Sequence, residues 1–267
     1  QVRRIEATAS ASWYYYRIDR FNYYYLLNGY NIGGTRETMP APEGSSYQQL
    51  SFAYVKDNSL FGMTAPMQGG RARFQVDKYF GATQIFTGLI DYRQYIYRKP
   101  FTFAFRLYNY GMYGKVTEEN VLQPLYLGYP WLIRGYENIS YNTGDTPGLA
   151  SLNISRLNGT RMAVANAEIR FPFSGPERLA LIKSKWFLTD LNLFFDAGMA
   201  WNRGDKIIFN DQESHPADNE KFPLYSTGAS LRINLFGYLI LEPYYAFPFQ
   251  NGGFKNGVFG LNFVPGW

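Results

Sequence analysis

Cysteine is absent from the 267 residues, which excludes disulfide bracing, thiolate nucleophiles and cysteine-ligated metals. Histidine occurs once, at His215 in "NDQESHPADNEKF", alone among loop-type residues, where a loop residue is expected and not a ligand. No apolar run reaches 18 residues, so no helix is expected to cross a membrane. Charge is scarce as well, at 18% against roughly 25% in an average soluble domain. The net charge of +5 is not gathered into a dense Lys/Arg cluster, so no nucleic-acid face is expected. No Gly-x-Ser-x-Gly elbow is present, and the expectation is a chain without enzymatic activity, cofactor or metal.

What the sequence has in excess is aromatics. They make up 19% of the chain, with 24 Tyr, 22 Phe and 5 Trp, yet mean hydropathy is only −0.30. Two architectures tolerate that combination: an outer-membrane β-barrel, and a soluble carbohydrate-binding β-sandwich. Alternation of residue type separates them. In "PLYSTGASLRINL" (223–235), Tyr225, Thr227, Ala229, Leu231 and Ile233 share one face, and Ser226, Ser230, Arg232 and Asn234 the other. Ala72, Phe74 and Val76 oppose Arg71, Arg73, Gln75 and Asp77 in the same way, and Leu191, Leu193 and Phe195 oppose Asp190, Asn192 and Asp196. One apolar and one charged face predicts strands between lipid and a polar or water-filled lumen.

Ten such segments are predicted, at 3–16, 47–57, 69–80, 84–98, 101–114, 161–173, 187–202, 223–236, 238–248 and 255–264, with a further strand conceivable in 17–30. Most match the ~9–11 residues of a tilted crossing. Tight turns at 97–100 and 236–237 contrast with polar links at 17–46, 115–160 and 203–222. Aromatics gather at strand ends, in "WYYYRIDRFNYYY" and "PYYAFPF", the level of lipid headgroups.

The longest link holds "PWLIRGYEN" (130–138), an arginine set in apolar surroundings. The next predicted strand contains "NAEIRFPF" with Glu168 on its polar face, and the one after it "LNLFFDAGMAW" with Asp196 on its polar face. In order and spacing these pieces resemble the barrel domain of the BamA/TamA-like outer-membrane assembly and translocation superfamily (the bacterial surface antigen family), most closely over 69–267 and loosely over 1–68. That family carries an Arg-Gly-aromatic tripeptide on a loop folded back into the barrel, matched here by Arg134, Gly135 and Tyr136. Its acidic residue on the following strand and its Phe-x-Asp-x-Gly-type strand are matched by Glu168 and by Phe194 to Gly198 around Asp196.

The resemblance implies an all-β fold: an antiparallel transmembrane barrel with a long lumen-folding loop, residues 1–267 forming the C-terminal part of a 16-stranded barrel with about ten strands present. The opening "QVRRIEATAS", without initiator Met or apolar signal core, fits a cleaved leader or the later part of a longer chain. The implied function is insertion, assembly or translocation of proteins at the outer membrane, with outer-membrane lipids, unfolded outer-membrane proteins and partner subunits as contacts. A structural barrel within a larger complex is the alternative. Physics gives the motif a role: a guanidinium inside a narrow lumen loses water and needs carboxylate partners, which Glu168 and Asp196 on neighbouring strands supply as latch acceptors. Such a latch serves stability alone equally well. In "NGVFGLNFVPGW", Phe259, Leu261 and Phe263 alternate toward lipid, and either Phe263 or Trp267 is the terminal aromatic of a strand whose pairing with the first is weak.

Overall fold

The computed structural model describes residues 2–25, 28–29, 31–82, 84–114, 124–137, 156–209, 220–235, 237, 239–251 and 253–263. Ten strands form one antiparallel meander, each paired with its sequence neighbour. They are β1 (Val2–Tyr14), β2 (Ser45–Asp57), β3 (Pro66–Gly81), β4 (Phe86–Arg98), β5 (Phe101–Tyr113), β6 (Arg161–Gly175), β7 (Phe187–Trp201), β8 (Leu224–Leu235), β9 (Leu239–Pro248) and β10 (Val258–Asn262). The segment around 17–30 does not join this sheet. Ile18–Tyr25 pairs with Asn31–Met39 as a separate hairpin between β1 and β2.

Strict alternation explains why each strand forms where it does. On β7, Leu191, Leu193 and Phe195 are exposed while Asp190, Asn192, Phe194 and Asp196 are buried. Inward of the terminal residues of each strand, the outward positions of β4 to β10 carry no Asp, Glu, Lys or Arg. A one-residue slip in any pairing would exchange the two faces, so this pattern fixes the register, as in Asn166↔Asp196 and Asp196↔Ser226.

The sheet curls steeply. Thr64, just before β3, hydrogen-bonds Asp190 on β7, and the Met63 carbonyl accepts from Asn234 Nδ2 on β8 at 2.7 Å. In a flat sheet β3 and β7 would lie four strand spacings, roughly 19 Å, apart. The curl does not close: among the described residues β1 and β10 each pair on one side only, so the sheet is an open trough, not a complete barrel. β1 is exposed on both faces along most of its length.

The interior departs from a uniformly polar lumen. Near the long-loop mouth it is dry, with Leu127, Leu132, Ile133 and Tyr136 of the β5–β6 loop packed on Met162, Val164, Ala200 and Leu224 of the walls. Polar and charged groups fill the middle.

Candidate functional site

Within the described part of the β5–β6 loop, residues 129–133 form a tight turn in which the amides of Leu132 and Ile133 both reach the Tyr129 carbonyl. Two wall side chains hold its backbone. Arg106 NH1 on β5 donates to the Trp131 carbonyl and Asn166 Nδ2 on β6 to the Leu132 carbonyl, each at 2.8 Å. Ile133 then packs against Gly198, where an added Cβ would crowd its Cδ1.

That seat aims Arg134 inward. Its Nε and NH2 donate to the two oxygens of Asp196 at 2.8 Å each, and its amide reaches the same carboxylate at 3.2 Å. NH1 donates to Glu168 at 2.8 Å and to Glu242 on β9 at 3.3 Å. The guanidinium lies 3.6 Å above the centroid of Phe194, so one of its faces is covered as well as its edges. Burial opposes the charge, but Asp196 and Glu168 more than offset it and hold the guanidinium above the ordinary arginine range. Gly135 takes φ +92° beside Ala246, whose Cβ would stand 2.9 Å from any added Cβ, so both the backbone conformation and the space demand glycine. Tyr136 is fully buried, its hydroxyl 2.8 Å from the Tyr225 carbonyl and 2.7 Å from Gln250 Oε1.

The cluster extends beyond the motif. Arg170 Nε donates to Glu168 at 2.8 Å, and Arg232 reaches both Glu168 and Glu242 at 3.1 and 3.2 Å. Three guanidinium groups therefore meet three carboxylates, all buried. From there Arg170 NH1 donates to the Pro66 carbonyl, linking the cluster to the inturned segment 62–66 at the opposite, short-turn mouth. Glu137, the residue after the motif, accepts from the Gly135 amide at 2.9 Å and from the Tyr244 hydroxyl; burial pushes its carboxyl above the usual range.

Comparison with known proteins places this geometry. The model of the Omp85 superfamily domain matches residues 8–266. The chain belongs to the Omp85 superfamily. Members of that superfamily are non-catalytic translocation and assembly factors, and this Omp85 domain is accordingly not an enzyme. None of the curated proteins compared matches it. Among solved structures it is similar to BamA from Haemophilus ducreyi lacking POTRA domains 1–3, with a TM-score of 0.53 and 14% identity over 90% of this chain and 44% of that one. At that identity the likeness concerns the fold, and the chain spans less than half of that BamA structure.

Within the Omp85 domain, the structure brings Arg134, Glu168 and Asp196 into one cluster, with Gly135 and Tyr136 beside it. Phe259, Leu261 and Phe263 are exposed, and β10 pairs with β9 over five positions from Val258 to Asn262. Trp267 and His215 lie outside the described residues. Glu242, Arg170, Arg232 and Arg106 were not among the residues expected at the site. Their signal was present: Glu168 and Arg170 sit two apart on one inward face, as do Ser230 and Arg232, and Glu242 interrupts an otherwise apolar strand. The segment 62–66 had no such signal. Its turn composition says nothing about which way it folds.

Proposed function

We propose that this Omp85 domain is the lipid-embedded barrel portion of an outer-membrane protein that assists the insertion, assembly or translocation of other proteins. The observation that carries the reading is the pairing of two features. An outward surface that is free of charge between the strand ends from β4 to β10 suits hydrocarbon, and an inward surface anchors a loop through Arg134. Glu168 and Asp196 act as acceptors of that latch, and Glu242 as a third.

The work needs no covalent chemistry. A substrate strand gains backbone hydrogen bonds and lipid-facing burial as it forms, in a medium that tolerates no unpaired backbone group. The domain contributes an edge on which such a strand can template. Among the described residues β10 pairs with β9 over five positions, with Phe259, Leu261 and Phe263 turned outward, and its other edge is the one offered to such a strand. The latch keeps the loop seated so that the trough holds its curvature while an edge is engaged.

The test is complementation after depletion of the natural protein, in cells expressing the parent or Arg134→Ala. A general fall in folded outer-membrane proteins that the parent restores and the variant does not supports this reading. Loss of a single complex, with other barrels at normal levels, would establish a scaffold role instead.

A further inference from the structure

Two turns at the short-turn mouth are far apart in sequence and adjacent in space. The β4–β5 turn carries Arg98 and Lys99, and the β6–β7 segment "PERLALIKSKWF" (176–187) carries Arg178, Lys183 and Lys185. They become neighbours because β5 pairs with β6, setting Thr102 opposite Arg170 and the rings of Phe101 and Phe171 5.6 Å apart. Five cations thus share a rim with one acid, Glu177, which pairs with Lys183 at 2.6 Å. Among the described residues Arg98, Lys99, Arg178 and Lys185 have no carboxylate within ion-pair distance.

Large apolar side chains are interleaved with these charges. Trp186 is 81% exposed and Leu181 69%, with Ile182 and Phe187 also open to the outside. The segment is a fixed platform. The Leu179 and Ala180 amides close on the Pro176 carbonyl, Leu181 on Pro172 and Ser184 on Gly175, and Ile182 adds a bridge to Ser174. Phe187, paired with the outward Leu235, brings the apolar band of β7 to this rim. A soluble partner's docking face would be set apart from that band, whereas a membrane surface is continuous with it.

We propose that this rim is a binding surface for anionic phospholipid headgroups. Trp186, Leu181 and Phe187 seat at the acyl boundary, and Arg98, Lys99, Arg178 and Lys185 engage headgroup phosphates, the mixed apolar and basic pattern that favours an anionic interface. The inference rests on the reading that the outward face meets lipid.

The experiment reconstitutes the protein in vesicles of phosphatidylcholine containing either brominated phosphatidylglycerol or brominated phosphatidylcholine. Quenching due to Trp186 is taken as the difference between the parent and Trp186→Phe. The expected result is quenching about twofold or more stronger by the anionic lipid, falling to parity in Arg98→Gln/Lys99→Gln/Arg178→Gln/Lys185→Gln and shrinking in high salt. Equal quenching by both lipids in the parent, or a preference that survives the quadruple substitution, overturns the proposal. Absence of quenching at Trp186 also overturns it and leaves the rim to a soluble partner. A Leu107→Trp reporter at mid-band separates the two failures: if it is quenched while Trp186 is not, only this inference falls, and if neither is quenched, the membrane reading falls with it.

Discussion

Arg134 and Asp196 meet edge to edge, with two guanidinium nitrogens on two carboxylate oxygens at 2.8 Å and the Arg134 amide adding a third bond to the same group. The pair joins a loop to a strand 62 residues further along the chain, so its strength is a property of the tertiary fold and not of either segment.

Removing the cation should cost more than neutralising one acid. Arg134→Ala leaves the buried Asp196 without a cation and is expected to destabilise by about 3–5 kcal/mol. Asp196→Asn keeps the shape and one acceptor, and should cost less. Heat-modifiable gel mobility reads both, with the folded band lost at a lower temperature in Arg134→Ala. The double variant should fall well short of the sum of the singles, since the two groups share one interaction. Simple additivity would contradict the pairing.

The third acid has its own consequence. Glu242→Gln leaves the fully buried Arg232 with only Glu168 as a carboxylate partner, so it should destabilise clearly. Arg232→Met combined with Glu242→Gln removes one charge of each sign and should unfold at a higher temperature than either single variant. A double variant as weak as the sum of its parts would show that the two groups act independently.

The segment 62–66 is expected to behave as a plug at the short-turn mouth. Ala65 is 4% exposed, held between the Thr64–Asp190 bond, the Asn234–Met63 bond and the Arg170–Pro66 bond. Because the chain has no cysteine, Ala65→Cys gives a single thiol. It should resist a water-soluble maleimide in the parent and label roughly tenfold faster with Arg170→Met, the effect of about 1.4 kcal/mol on local opening. Rapid labelling in the parent would show that the plug is not seated.

Glu137 predicts a pH dependence with a definite sign. Burial raises its carboxyl pKa in the folded protein, so the native state binds the proton more tightly than the unfolded chain. The stability it contributes is present at acid pH and is lost as pH rises from the ordinary carboxylate value through the raised one. Glu137→Gln should flatten the folding midpoint over that window. An unchanged slope would mean that Glu137 does not titrate there.

Much of this was legible because two periodicities were strong. A period of two over ten segments placed the ten strands of the sheet, and inward parity put Glu168 and Asp196 on the face that Arg134 enters. What stayed hidden depends on curvature. Sequence spacing does not say that a sheet curls until a turn before β3 reaches β7, so the inturned Gly62–Pro66 segment looked like any tight turn. Arg232 read as one more inward polar residue, because its partner Glu242 lies on a different strand. The basic rim was missed for the same reason, its two halves being separated by the whole of β5, the long loop and β6. The hairpin 18–39 was a misreading of a different kind, in which strand-like composition marked a pair that stands apart from the sheet.

The most direct measurement is a density map of the protein in a lipid nanodisc. The account predicts the Arg134 guanidinium inside the curl, within hydrogen-bond distance of Asp196 and Glu168, and acyl-chain density against Phe105, Leu107, Leu193 and Phe195. A map with Arg134 in open solvent, or with those four side chains packed on protein in place of lipid, would contradict it.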